Sequence, residues 1–434
     1  MFSKSKKLTS KDRFCPQLNI PDAFPHSPAI SPEETKLVAE LLEKDANEHH
    51  MFFNDKGFHN HLTHMLLAGY SLGASTKRLR EIYRQEEQIQ RPRLPKHNDF
   101  EWTEHLGEKE YYSDYLDFML KEVEKLGRIG AIEKYAFDEE NNMLARFLGG
   151  LYHPMIHIGY GLEFGIDGMV AEGLAQMCTG ADVNKALIPQ EIKLSKSSNI
   201  SALEIAIAII EDKRFDGIKS EDEFKFMGFY ERPELILEYV SKWSLSLEKE
   251  ELLEKVRELM ILGVAVYAGP QRPNKAIAFD FFLMHVLTSS LFLPIFVQQL
   301  SPKFGMKFLR GKFAMDLAHF AGRNRPKLYL DQFTSWTTEF TKSWGEIFEL
   351  AVYHDDEHVP KVIRALKQVE RWDPEESLGK GAYHAIAIMT VENVVSFIEK
   401  ERDDRRSWTH EVVGFDEFWD KIPERKRETL ADLS

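Results

Sequence analysis

The sequence predicts an all-α protein, a single large multi-helix domain with helices around a central buried site. Three observations carry this reading. Apolar residues recur at helical spacing in segment after segment. Helix-start signals precede several of those segments. No stretch shows sustained apolar–polar alternation or the rhythm of a parallel α/β sheet.

Residues 1–30 hold Pro16, Pro21, Pro25 and Pro28 without periodicity, and read as an extended lead-in. Ser31-Pro32-Glu33-Glu34 is a capping box with proline at the first helical position, and Leu37, Val38, Leu41 and Leu42 follow at helical spacing. A second helix is expected from about Asn60 to Tyr83. Beyond a polar loop with Pro92 and Pro95, the tyrosine-rich stretch Tyr111–Gly127 gives a third. Leu144–Phe164 is apolar with interspersed glycines, and Ser201–Glu211, Pro233–Ser246, Val359–Val369 and Ala382–Glu399 supply further helices. The helical domain is expected over 31–400, followed by a charge-dense, peripheral tail over 401–434. Ala276–Val297 is long enough to cross a bilayer, but Asp280, His285 and its hydroxyl residues make a span costly. It is expected to be a helix buried on all sides.

Bulk properties exclude several function classes. A chain of 434 residues with 43% hydrophobic content, 30 Phe and 7 Trp needs a large packed core. A net charge of −14 argues against nucleic acid and anionic membrane surfaces as partners. Only Cys15 and Cys178 are present, so a disulfide framework is excluded and a reducing, cytoplasmic setting is expected. The basic start Met1–Lys7 is followed by no apolar stretch of the kind a secretory signal requires.

The 16 histidines fall in clusters. His61 and His64 are spaced to share one helical face, which continues through Met65, Ala68 and Leu72. His153 and His157 flank Pro154-Met155-Ile156; since proline prefers a helix's first turn, His153 is expected just before the helix and His157 is the better-placed inward group, with His153 a catalytic candidate. His285 lies inside the apolar segment, where a histidine can equally be a satisfied core residue. His358 and Lys361 share a face leading into Val362, Ala365, Leu366 and Val369. Neutral imidazole suits iron, zinc and copper, and its recurrence on several apolar segments favours one buried metal centre. His49, His50, His97, His105 and His410 sit in polar contexts and are expected to be solvated, with His59 a cap or loop residue. His354-Asp355-Asp356-Glu357-His358 also fits an inverted zincin pattern, and its His354-Asp355 doublet is that of helical phosphohydrolases. Neither a dinucleotide-binding glycine pattern nor a P-loop is present, so no bound flavin is expected.

The blocks FFNDKGFHNHLTHMLLAGYSLGAS, GGLYHPMIHIGYGLEF with AEGLAQM, HVLTSSLFLP and DDEHVPKVIRAL, spread between residues 52 and 366, resemble the questin oxidase-like family of fungal and bacterial proteins. The resemblance implies an all-helical, flavin-free oxidoreductase. It implies oxygen-dependent, Baeyer–Villiger-type cleavage of an aromatic polyketide ring such as an anthraquinone, with O2 as co-substrate and NADPH as electron donor. It also implies non-haem iron held by histidines and a carboxylated lysine. Carried onto matching positions, the metal ligands are drawn from His61, His64, His157, His285 and Lys361, with His358 beside the lysine as a second catalytic candidate. A neutral lysine amine can add carbon dioxide to give an anionic carbamate ligand. The competing reading is a salt bridge from Lys361 to Asp355, Asp356 or Glu357. Phe58, Tyr152, Tyr160 and Phe164, with Phe52 and Phe53, could line a slot for a flat ring or be ordinary core. The chain departs from the expected pattern at His64-Met65, where relatives would carry a second histidine.

Overall fold

The computed structural model describes residues 13–21, 23–188, 200–216, 232–333, 341–394 and 408–425. In chain order the helices are α1 (Pro32–Glu48), α2 (Leu62–Leu72), α3 (Thr76–Glu87), α4 (Tyr112–Tyr135), α5 (Met143–Phe147), α6 (His153–Glu163), α7 (Asp167–Thr179), α8 (Ala202–Ile210) and α9 (Pro233–Val240). They continue as α10 (Lys249–Ala268), α11 (Phe281–Ser290), α12 (Leu293–Gln299), α13 (Pro302–Gly322), α14 (Trp344–Tyr353), α15 (Val359–Trp372), α16 (Ala382–Asn393) and α17 (Asp416–Lys421). Among the described residues, extended pairing is limited to isolated bridges such as Phe52 with His59. The all-helical expectation holds.

The chain divides into two compact units built from discontinuous stretches. The first takes the described residues within 1–192, 247–253 and 292–311, and the second those within 193–246, 254–291 and 312–434. A linker search could not find this division, because α10 and α13 each contribute residues to both units.

Local chemistry sets the helix ends. The Ser31 hydroxyl accepts from the Glu33 N–H, and the Glu34 carboxylate returns to the Ser31 N–H, so the capping box forms as read. The expected Asn60–Tyr83 helix is broken. Gly73 adopts φ 97°, which ends α2, and Ser75 then caps α3 by accepting from the Arg78 N–H. The α4 helix runs past its expected end, with Gly127 at φ 73° making a kink inside it. The apolar segment after Ala276 also divides. Asp280 caps α11, and Pro294 opens α12. The 19-residue apolar stretch Phe281–Gln299 is 89% buried within the protein. Residues 395–399, the end of the expected Ala382–Glu399 helix, lie outside the described residues, as do Met1–Lys7.

Within the first unit, α6 and α7 pack closely. A Cβ on Gly173 would sit 2.4 Å from Ile158 Cγ1 and 3.0 Å from the Ile158 backbone nitrogen. This approach lets a carboxylate on α7 reach a ring on α6. In the second unit, residues 408–425 belong to the stretch expected at the periphery. Trp408 and Trp419 are nonetheless buried, and Val413, Phe418, Trp419 and Ile422 form a core cluster with Ala278 and Leu283. The aromatic residues in that stretch are spaced too irregularly to announce this burial.

Candidate functional site

Each unit holds its own buried cluster of histidines. In the first unit, Asp45 on α1 anchors the approach to α2. Its two carboxylate oxygens accept from the Asn60 amide at 3.2 and 3.1 Å, and the Asn60 oxygen accepts from the Leu62 N–H. This places His61 as the residue that caps α2 rather than a member of it, in contrast to the expected shared helical face. The His61 and His64 rings still lie edge to face, 5.8 Å apart.

His61 Nε2 lies 2.8 Å from His153 Nε2. His153 opens α6 after an unusual turn. Gly150, Leu151 and Tyr152 all have positive φ, at 53°, 52° and 64°. For leucine and tyrosine this costs of order 1–3 kcal/mol each. The turn brings the Gly150 carbonyl to His153 Nδ1 at 2.6 Å. A carbonyl can only accept, so His153 is protonated at Nδ1 and, while neutral, carries its lone pair on Nε2. His59 stacks on His153 with ring centroids 4.3 Å apart and planes 5° from parallel, and the Gln176 amide meets His59 Nδ1. Burial drives the His59 pKa down to about 3.

His64 and His157 form a second pair, Nε2 to Nδ1 at 3.1 Å, and His157 Nε2 meets Glu172 Oε2 of α7 at 3.2 Å. Both His157 nitrogens are thus engaged by protein groups. Burial raises the Glu172 pKa, opposed by the hydrogen bond to His157. Tyr160 stacks on His64 at 5.1 Å, and Tyr152, Tyr160 and Phe164 are fully buried. Phe58 pairs with Phe53 in the part-exposed loop that precedes α2. Met65, the departure noted in the sequence, is a buried residue of α2.

In the second unit, His285 on α11 is 1% exposed, and its Nδ1 donates to the Phe281 carbonyl at 2.8 Å. His358 caps α15. Its backbone N–H donates to Asp356 Oδ1 at 2.9 Å, and its Nδ1 lies 3.3 Å from the same oxygen. The two rings are 5.3 Å apart, with Phe281 against both. Lys361 is 3% exposed, two residues into α15 beyond Val359. Burial, and then the Lys361 charge, hold the His358 pKa at about 4. Burial, His358 and Lys361 together push the His285 pKa well below its ordinary value. Burial alone would raise the Asp356 carboxyl, but the His358 hydrogen bond and charge bring it down to about 2.

The inverted zincin and phosphohydrolase motifs lose their first ligand. His354 Nε2 donates to the Val394 carbonyl at 2.8 Å, and its Nδ1 accepts from the Asp356 N–H at 3.0 Å. Two histidines expected in solvent are also placed differently. His50 is buried, donating from Nε2 to the Lys109 carbonyl and accepting at Nδ1 from the Phe52 N–H. His410 lies against Phe281, with ring centroids 4.6 Å apart. His59, Gln176, Glu172 and the buried His319 on α13 were missed as site neighbours. Their partners stand about one hundred residues away or on separate helices, and no local spacing announces them.

A match to the questin oxidase-like family covers residues 58–366. The chain belongs to that family. It is 32% identical over 365 residues to a Baeyer-Villiger monooxygenase of Cryptosporiopsis sp., covering 76% of this chain and 80% of the relative. It is 28% identical over 437 residues to a Baeyer-Villiger oxidase of Pestalotiopsis microspora, covering 92% and 96%. It is 27% identical over 403 residues to a questin oxidase of Aspergillus fumigatus, covering 86% and 89%. The protein is accordingly an oxidoreductase of the oxygenase type.

Proposed function

We propose that this protein inserts oxygen into, or cleaves, an aromatic polyketide ring of the anthraquinone type, using non-haem iron and no flavin. The observation that supports the metal is a shared tautomer. His153, His285 and His358 each direct Nδ1–H at an oxygen, which leaves the lone pair on Nε2. An outer oxygen that fixes one ring nitrogen is the usual arrangement behind a metal-binding imidazole. Within the proposed ligand set, His285 is the residue this arrangement supports. The ligands proposed from the sequence are His61, His64 and His157 in the first unit and His285 and Lys361 in the second. His157 would have to exchange its contact with His64 or Glu172 to bind. His153 and His358 carry the same proton disposition and are the candidates for catalysis beside them.

Bound iron would supply oxygen activation. The residues themselves do the remaining work. His358, and His153 once its Nε2 leaves His61, are the candidates to take a proton at Nε2 from a phenolic substrate. Tyr160, Tyr152 and Phe164 exclude water. The overall balance is one ring substrate, O2, NADPH and a proton giving the oxygen-inserted product, water and NADP+. The two electrons come from the nicotinamide, which is a diffusing co-substrate in this reading, and the enzyme acts in the cytoplasm.

The test is elemental analysis of protein purified without chelators from iron-supplemented cells, with oxygen uptake measured on an anthraquinone. About one equivalent of iron and ring-dependent uptake are expected. Well under one equivalent of any metal refutes the iron reading, and flavin at near-stoichiometric level refutes the flavin-free one.

A further inference from the structure

Residues 408–411 lie outside the stretch 58–366 that matches the family, yet they are tied to the start of α11, the helix that carries His285. The tie runs through Arg323, which follows α13. Arg323 is fully buried, and its partner Asp280 is 1% exposed. Burying such a pair is costly unless the charges are paired and hydrogen-bonded; here Nε and Nη2 are engaged, while Nη1 has no hydrogen-bond partner among the described residues. Arg323 Nε donates to Asp280 Oδ2 at 2.6 Å, and Nη2 donates to the carbonyls of His410, at 2.9 Å, and Glu411. The guanidinium also lies over the Phe282 ring at 4.6 Å.

The other Asp280 oxygen accepts from the Phe282 and Leu283 N–H groups at 2.8 and 3.0 Å, which fixes the first turn of α11. Backbone bonds complete the tie: Phe281 N–H to the Thr409 carbonyl at 3.0 Å, and Thr409 N–H to the Phe279 carbonyl at 2.8 Å. Phe281 is the residue whose carbonyl holds His285 Nδ1. Trp408 stands 6.3 Å from His358, and His410 stands against Phe281.

We propose that Arg323 is a positioning residue: with Asp280 and the backbone of Thr409–Glu411 it forms a buried clasp that sets the aim of His285 Nε2. This makes the 408–411 segment a working part of the site. The inference rests on the reading of His285 as a metal ligand. Arginine is needed because one planar fork must serve a carboxylate and two carbonyls, which a lysine cannot do. Gly414 lets the segment reach this hub. A Cβ there would fall 2.4 Å from the Arg323 carbonyl oxygen and 2.5 Å from that of Asn324.

Two variants of the full-length protein test this, Arg323→Lys and Gly414→Ala. Gly414→Ala adds no charge and touches no histidine. Three readouts are taken: helical circular dichroism, iron occupancy at fixed free iron, and the 15N ring signals of His285 in metal-free protein, assigned against His285→Gln. Arg323→Lys is expected to keep the helical signal, lose the fixed Nδ1–H signature and bind iron about 10–100-fold more weakly. Gly414→Ala is expected to move both in the same direction by less. Should Arg323→Lys fail to fold, Gly414→Ala decides. A folded variant with wild-type ring signals and iron affinity overturns the proposal and leaves Arg323–Asp280 as a stability element. If the wild type binds no iron, the iron reading fails, while the ring signals still decide whether the clasp sets His285.

Discussion

The two histidine clusters use the same side chain in opposite ways. In the first unit imidazoles meet one another, His61 with His153 and His64 with His157, with Glu172 and the Gly150 carbonyl at the ends of those pairs and Gln176 on His59. In the second, each ring is tied to an oxygen of its own, the Phe281 carbonyl for His285 and Asp356 for His358, with the Lys361 charge close by. Of the rings that meet each other, His153 has its tautomer fixed by the Gly150 carbonyl, and His157 passes its contact with His64 on to Glu172. Rings tied to separate oxygens have one tautomer each. The second cluster therefore keeps its imidazoles on separate oxygens, and the first couples them to one another.

The largest effect is expected at Lys361. Lys361→Arg keeps the charge but cannot form a carbamate, so the variant should fold while iron content and oxygen uptake fall by at least ~10–100-fold. Full retention of both would make Lys361 structural and remove it from the ligand set. A smaller effect is expected in the first cluster. Glu172→Leu strips His157 Nε2 of its acceptor in a buried setting, which should cost about 1–3 kcal/mol in urea unfolding. An unchanged midpoint would mean that the His64–His157–Glu172 chain carries no stability.

Acid should weaken both units. Burial keeps His319 neutral in the fold, with a pKa of about 3, and lowers that of His50. Below the unfolded value near 6.5, the unfolded chain takes a proton that the fold refuses. Stability is then expected to fall as pH drops from about 6.5 towards 3, by up to about 1.4 kcal/mol per unit for His319. A His319→Gln variant should show a shallower acid slope, and an identical slope would contradict the assignment. The smallest effect concerns the left-handed turn. Leu151→Gly should relieve strain and raise stability by about 1 kcal/mol at most, since glycine's freer unfolded chain offsets part of the gain. A marked loss would show that the Leu151 side chain, not its backbone, holds the turn.

Much of the helical fold was legible because caps and apolar spacing are local signals. Ser31 with Glu34 and the start of α15 around Val359 are examples. The break before Pro294 was hidden inside a continuous apolar run, where burial on every side erases the periodic contrast that marks an end, whereas Gly73 with Ser75 was a stop and start signal present in the sequence. The histidines themselves stood out by residue type and neighbourhood. Their pairing did not. His61 and His153 are 92 positions apart, and the turn that aims His153 depends on Leu151 and Tyr152 adopting a conformation their residue types disfavour. Glu172 was invisible for the same reason, since it reaches His157 only where Gly173 brings α7 against α6.

The interleaving of the two units carries a consequence for synthesis. The first unit is completed only by residues 292–311, and by then the second has already begun with residues 193–246 and 254–291. As the chain leaves the ribosome, the N-terminal helices wait for α12 and the start of α13 before their unit can close. Domain-by-domain folding of the growing chain is then expected only after residues 292–311 have emerged. For that interval the apolar Phe281–Gln299 stretch emerges without a finished core to receive it, and that is the window in which holdase chaperones would have most to protect.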